Sequence, residues 1–119
     1  MDSILTSIKK LLGITADYTH FDTDIIIHIN SVFSILTQLG VGPAAGFSIS
    51  DDTAVWSDYL QDNAVIEMVK TYVYLKVKLI FDPPANSFVV TSMEKTISEL
   101  EWRLNVAADH SQMEGDDED

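Results

Sequence analysis

The sequence predicts an all-α protein: a small bundle of four main helices and one short helix, followed by an acidic tail. Apolar residues recur at intervals of three and four through several long stretches, which is the spacing of one face of an α-helix. Two of these stretches stop at Gly40 and at Pro83-Pro84, residue types that end helices. We therefore expect a single helical domain over residues 1–110. Residues 111–119 have no periodicity and carry like charges, which predicts a disordered, flexible tail.

The first helix is predicted over Ser3–Leu12, with its first free amides capped by the side chain of Asp2 or Ser3. Lys9 and Lys10 suit the negative end of the helix dipole. The residues of its apolar stripe are Ile4, Leu5, Ile8, Leu11 and Leu12.

Gly13 suits the left-handed residue that follows a helix, and a linker over residues 14–21 leads from it to the second helix. That helix opens at Asp22 and runs to Gly40. The Ile25–Ile27 triplet favours a strand. The length of the periodic run and the glycine at its end argue instead for a helix of about four to five turns.

A glycine-rich loop is predicted over residues 40–50, with Phe47 and Ile49 pinning it to the body of the protein. A short helix is then predicted over Thr53–Leu60, capped by the polar residues 50–52.

The longest apolar run, Val65–Phe81, predicts a central helix that starts near residues 61–63 and stops at Pro83-Pro84. Because it is apolar on nearly every face, we expect several neighbours to bury it. It is too short, and too interrupted by one glutamate and three lysines, to be a membrane span.

The last helix is predicted from Thr91 onward, while Phe88–Val90 is either a brief extended piece or the start of this helix. Glu99 has an opposite charge four residues away on each side, at Lys95 and Arg103, which is the spacing of surface ion pairs. The residues of its apolar stripe are Met93, Ile97, Leu100, Leu104 and Ala107.

The net charge of −12 is distributed unevenly. Six of the 19 acidic residues and no basic residue lie in residues 109–119, so the rest of the chain carries −6. Binding to nucleic acid needs cationic contacts to phosphates, and Arg103 is the only arginine. The absence of cysteine excludes disulfides and thiolate metal sites. We expect no secretory signal.

No catalytic motif is recognisable, so we predict that the protein is not an enzyme and uses no cofactor. His20, Asp22, Asp24 and His28 could be read as a metal site, but helix capping explains the two aspartates more simply. The glycine-rich residues 40–46 lack the lysine of a phosphate-binding loop.

Aromatic and acidic residues are the candidates for contacts with partners. Trp56 and Tyr59 are either interface anchors or, with the larger weight, core packing residues. Trp102 lies off the apolar stripe, so it either packs under a loop or is exposed for a partner. The acidic end is either a docking arm that orders on binding or a solubilising terminus. The candidate interface residues are Trp56, Tyr59, Trp102, Arg103, Glu114, Asp116 and Asp117.

Six segments occur in a characteristic order: ILTSIKKLLGI, THFDTDIIIHINSVFSILTQLGVGP, WSDY, LKVKLIFDPP, NSF and ISELEWRLNV. Together they cover much of residues 4–106, and the chain resembles the head–tail connector (adaptor) proteins of tailed phages and prophages. The most diagnostic parts are Phe81–Pro84 and Glu99–Leu104, whereas the acidic tail is not part of the pattern.

The resemblance implies a structural virion protein of the neck, assembled in the host cytoplasm. It implies a homo-oligomeric ring, usually twelve-fold, that binds the portal protein, receives a tail-completion or stopper protein, and extends the DNA channel. Genomic DNA would pass through without specific binding, and no membrane is involved. The alternative, suggested by charge alone, is a small regulatory or inhibitory helical protein of the DNA-mimic type that binds a basic partner.

Overall fold

The computed structural model describes residues 3–61 and 63–117, and over these residues the chain forms helices without any strand. The predicted fold class is confirmed: four longer helices and one short helix make a small bundle. The helices are α1 (Ile4–Leu11), α2 (Asp22–Gln38), α3 (Trp56–Tyr59), α4 (Asn63–Phe81) and α5 (Ser87–Asp117).

The central helix of the bundle is α4, which packs against α1, α2 and α5. Its fully or nearly fully buried face follows helical spacing and consists of Ile66, Val69, Tyr72, Val73 and Val77. We expected α4 to be buried on nearly every side, and it is buried on only part of its circumference. Met68 and Leu79 are half-buried, and Ile80 is 52% exposed, because the neighbouring helices leave part of the circumference open.

The predicted stop after α4 is confirmed. The Asp82 amide still donates to the Lys78 carbonyl at 2.9 Å, and Pro83 follows, so the hydrogen-bonded series ends there. α5 then starts at Ser87, which decides between the two alternatives for Phe88–Val90 in favour of helix. The Asn86 side-chain oxygen accepts from the Phe88 amide at 2.8 Å, which is the geometry of a cap.

α1 agrees with its predicted bounds, and the Ser3 hydroxyl accepts from the Thr6 amide at 3.0 Å as the N-terminal cap. Lys9 and Lys10 lie in the last turn of α1, as predicted, and Lys9 has a further role. Its ammonium is buried, donates to the carbonyls of Ala16 and Tyr18, and lies 2.8 Å from the Asp22 carboxylate. Lys9 therefore holds the 14–21 linker against α1.

α3 is shorter than the predicted Thr53–Leu60, and the reason lies in the preceding backbone. The Asp51 carboxylate accepts from the Thr53 amide, which makes a turn rather than a helix cap. The Ala54 carbonyl accepts from the Ile4 amide at 2.9 Å, and Val55 forms an antiparallel bridge with Ser3. These pairings hold residues 54 and 55 extended, so α3 begins only at Trp56.

α5 runs on beyond the predicted end of the domain at residue 110. Its backbone is helical as far as Asp117, where a disordered tail was expected. Adding a residue to an existing helix costs far less than nucleating a new one, so packed turns can extend into a weakly helical sequence. Glu118 and Asp119, the last two residues of that predicted tail, lie outside the described residues.

Candidate interaction surfaces

Trp56 and Tyr59 belong to an aromatic cluster inside the bundle, where they are only 5% and 3% exposed. The Phe33 ring lies between them, with its centroid 4.7 Å from that of Tyr59 and 6.3 Å from that of Trp56. Phe47 completes the cluster from the 40–50 loop. These positions match the core-packing alternative for the two residues.

Hydrogen bonds fix both polar groups of this cluster. The Trp56 indole donates to the Ser7 hydroxyl at 2.9 Å, and the Tyr59 hydroxyl donates to the Val41 carbonyl at 3.2 Å. The predicted anchoring of the 40–50 loop is confirmed. Ile49 is buried, and both its amide and its carbonyl are hydrogen-bonded to the Asn30 side chain. The aromatic cluster thus stabilises the body of the protein.

Three of the four residues weighed as a metal site, His20, Asp22 and His28, are engaged in other contacts, and Asp24 is exposed. Asp22 pairs with buried Lys9, and the His20 ring packs edge-on against Phe21 with centroids 4.7 Å apart. Among the described side chains, those of residues 3–61 and 64–109, no three histidine or acidic groups converge in a way that could hold an ion.

A polar link joins α4 to α5 at the edge of a shallow groove of about 360 Å³. The hydroxyl of Tyr72, whose side chain is fully buried, donates to the Glu101 carboxylate at 2.7 Å. Burial, reinforced by the hydrogen bond and the charge of Glu101, raises the pKa of Tyr72 above its ordinary value. The sequence analysis missed this link, because a tyrosine within an apolar run carries no signal of its partner.

α5 lies at an edge of the bundle, and the side that faces away from α4 bears large apolar residues. Ile97 and Leu104 face inward and are buried. On the opposite side, Phe88 is 85% exposed, Trp102 is 68% exposed and Val106 is 45% exposed. Of the two alternatives for Trp102, packing under a loop or exposure, the structure shows exposure.

These exposed residues belong to a single row along α5 with spacings of four, three, four, three and four residues. At about 3.6 residues per turn, that spacing keeps the whole row on one side of a helix. We call it the outer row, and its members, all exposed, are Phe88, Ser92, Lys95, Glu99, Trp102 and Val106.

Arg103 flanks the outer row and pairs with Glu99. Both of its donors reach the same carboxylate oxygen, Nε at 3.1 Å and Nη2 at 2.8 Å. The second predicted pair, Lys95 with Glu99, is not formed among the described side chains. Trp102 and Arg103 thus lie together on α5, apart from the buried Trp56 and Tyr59.

The remaining candidate interface residues are Glu114, Asp116 and Asp117, and they fall on the final turns of α5. The interface role of all seven candidates stays a prediction. Sequence reasoning did not select Phe88 and Val106, although their spacing from Trp102 was visible. Choosing them requires knowing which side of α5 packs on α4.

Across the described part of the chain, no helix has the length and apolarity needed to cross a membrane.

Comparison with known proteins gives one match. A family model described as "phage connector protein" matches residues 4–111, which includes α1 to α4 and most of α5. No curated protein and no solved structure matches this chain.

Proposed function

Because this chain belongs to the phage connector protein family, we propose that it forms a ring below the portal that joins the phage head to the tail and extends the DNA channel. Membership of the family itself means that this is a structural connector protein that associates with other head or tail proteins in the virion. The ring, twelve-fold as the resemblance implies, belongs to the proposal, as do its place in the neck and its assembly in the host cytoplasm.

The observation that carries the proposal is the extent of the family match. It runs over residues 4–111 and so includes the central helix, the proline stop and the outer row of α5. A closed ring needs two different faces on each subunit that fit one another. A flat bundle, with principal extents of 50, 35 and 21 Å and exposed apolar residues on both α2 and α5, offers such faces.

The charge of the chain supports passage of DNA without specific binding. Neutralisation of phosphates by lysine and arginine supplies most of the non-specific affinity of proteins for DNA. This protein has seven such residues against 19 acids, and Lys9 is buried in an ion pair with Asp22. A ring of these subunits would present a net negative wall, along which DNA can slide.

Imaging and mass analysis of purified virions test the proposal. We expect this chain at the neck, in multiple copies between the portal protein and the tail-completion or stopper protein. We also expect that, without the gene, DNA-filled heads and free tails accumulate separately. Mature particles that lack the chain would overturn the proposal.

The DNA-mimic alternative makes the opposite prediction in the same experiment. A mimic would leave virion assembly normal after deletion of the gene, and a basic partner would be recovered with the tagged protein. The concentration of six acids in residues 109–119 does not favour it, because a mimic spreads its carboxylates over the folded body at phosphate-like spacing.

A further inference from the structure

We infer that the outer row of α5 binds the outer row of a second copy of this chain, in an antiparallel, two-fold symmetric pair that is a form of the free protein. The inference goes beyond the proposed function and does not depend on it.

The row has the spacing of a helix–helix seam. Alternating steps of four and three residues are those of the a and d positions of a coiled coil, which pack against the same positions of a partner helix. From Phe88 to Val106 the row is about 27 Å long at 1.5 Å per residue. Along this length α5 has its other side on α4, so a second helix can lie against the row without displacing anything.

The chemistry of the row is self-complementary in only one direction. In an antiparallel pair centred opposite Ile97, Phe88 of one copy meets Val106 of the other, and Lys95 meets Glu99. Two-fold symmetry then repeats each of these contacts. In a parallel pair in register, Lys95 would meet Lys95 and Glu99 would meet Glu99, which is repulsive.

The sizes of the side chains agree with the same register. It places Ser92 opposite Trp102, so the largest residue of the row meets the smallest. Because both contacts of Arg103 go to Oε1 of Glu99, the second carboxylate oxygen can accept from Lys95 of the partner copy.

The local charge of the outer row explains how a strongly acidic protein can associate with itself at this surface. The outer row and its flanking Arg103 hold both basic residues of α5, Lys95 and Arg103, against one acid, Glu99. This strip is therefore less negative than the protein as a whole, which carries −12, so the copies repel each other less there than the net charge alone would suggest.

A two-fold contact closes on itself and cannot propagate. The pair is therefore distinct from the proposed ring, and the outer row would be covered in the free protein. A contact of five helical turns falls at the small end of specific interfaces, so we expect reversible association with a Kd on the order of micromolar.

Sedimentation equilibrium of the whole chain tests the inference, over concentrations from about 5 to 500 μM, around the expected micromolar Kd. We expect a monomer–dimer equilibrium. Trp102→Ala should weaken it at least about tenfold. Ile27→Ala removes another exposed apolar residue, 56% exposed on α2, and should leave the equilibrium unchanged.

Charge reversal gives the sharper test. Lys95→Glu alone and Glu99→Lys alone should each weaken self-association by about tenfold or more, because like charges then face one another twice. The double variant should restore it. Mixing the two single variants should yield a heterodimer, because each then supplies the charges that the other needs.

Both charge variants should melt like the wild type, since the substituted side chains are exposed. A chain that stays monomeric at the highest concentration would overturn the inference, as would a dimer that Lys95→Glu leaves intact. Neither result would affect the proposed ring, which fails only if virions lack this chain at the neck.

Discussion

At the residue scale, two glycines share a backbone conformation but differ in their surroundings. Gly13 has a φ of +84° with nothing within 4 Å of the position that a Cβ would take. Gly42 has a φ of +82°, and a Cβ there would lie 2.5 Å from Cε1 of Tyr59. The first glycine serves the backbone alone, whereas the second also leaves room for the aromatic cluster.

Substituting alanine at each glycine separates these two roles. Gly13→Ala should lower the free energy of unfolding by about 1 kcal/mol, the cost of a left-handed backbone for an L-residue. Gly42→Ala should lower it by about 2–4 kcal/mol, because a clash with Tyr59 adds to that strain. Urea unfolding followed by circular dichroism measures both, and equal effects would show that Tyr59 yields without cost.

Lys9 and its neighbour Lys10 provide a second comparison. Lys9→Met removes the donor to two linker carbonyls and leaves Asp22, whose side chain is 26% exposed, without its ion-pair partner. We expect a loss of about 2 kcal/mol, which is below the roughly 3–5 kcal/mol for breaking a fully buried pair because Asp22 keeps some contact with water. Lys10→Met, on the exposed side of α1, should change stability by less than about 0.5 kcal/mol in the same unfolding measurement. A similar loss in both variants would contradict the role given to Lys9.

At the element scale, α5 is joined to α4 by apolar packing and by the hydrogen bond from Tyr72 to Glu101. Removing that bond with Tyr72→Phe should cost about 1.5–3 kcal/mol near neutral pH, the range for a hydrogen bond to a charged group.

The same link predicts how stability depends on alkaline pH. Burial raises the pKa of Tyr72 above its ordinary value, so the folded state holds the phenol proton more tightly than the unfolded chain does. This contribution is fully present below pH about 10 and is lost as pH rises through the folded pKa. Burial raises the pKa of Tyr59 in the same direction. Unfolding measured between pH 8 and 11 should show this fall, with a shallower slope in Tyr72→Phe, and identical slopes would contradict it.

Elements whose causes are local in sequence were predictable. α4 follows from a long apolar run and ends at its prolines, and α2 begins and ends close to its predicted bounds. The start of α3 was not predictable, because Val55 is held extended by Ser3, more than 50 residues away. Burial of Lys9 likewise depends on how the linker folds back over α1. The outer row could not be predicted, because its choice depends on which side of α5 faces outward, and only the packing of α5 on α4 reveals that.

At the scale of the whole molecule, the acidic end should be separable from the fold. Deleting residues 114–119 removes five acids and changes the net charge from −12 to −7. We expect the truncated chain to melt cooperatively within a few degrees of the full chain, because Ile97 and Leu104, the buried residues among positions 87–109 of α5, lie well before the cut. Calorimetry of both chains makes the comparison, and a loss of the cooperative transition would show that the end of α5 is part of the core.

The connector function, in contrast, could not be read from any single site. The seven candidate interface residues include two that the fold buries and three on the last turns of α5. Only the order of segments along the chain indicated the family, because a structural protein carries its function in surfaces spread over several helices.

The bridge between Ser3 and Val55 also orders events during synthesis. Ser3 and Ile4 leave the ribosome before their backbone partners, Val55 and Ala54, which are translated about 50 residues later, or roughly 3–10 s at ordinary rates. During that interval α1 has neither its bridge nor α4 to pack against. α1 is therefore made early and docks fully only later. α2 can pack against it first, but its contacts with α4 and its bridge to Val55 must wait until the middle of the protein has emerged.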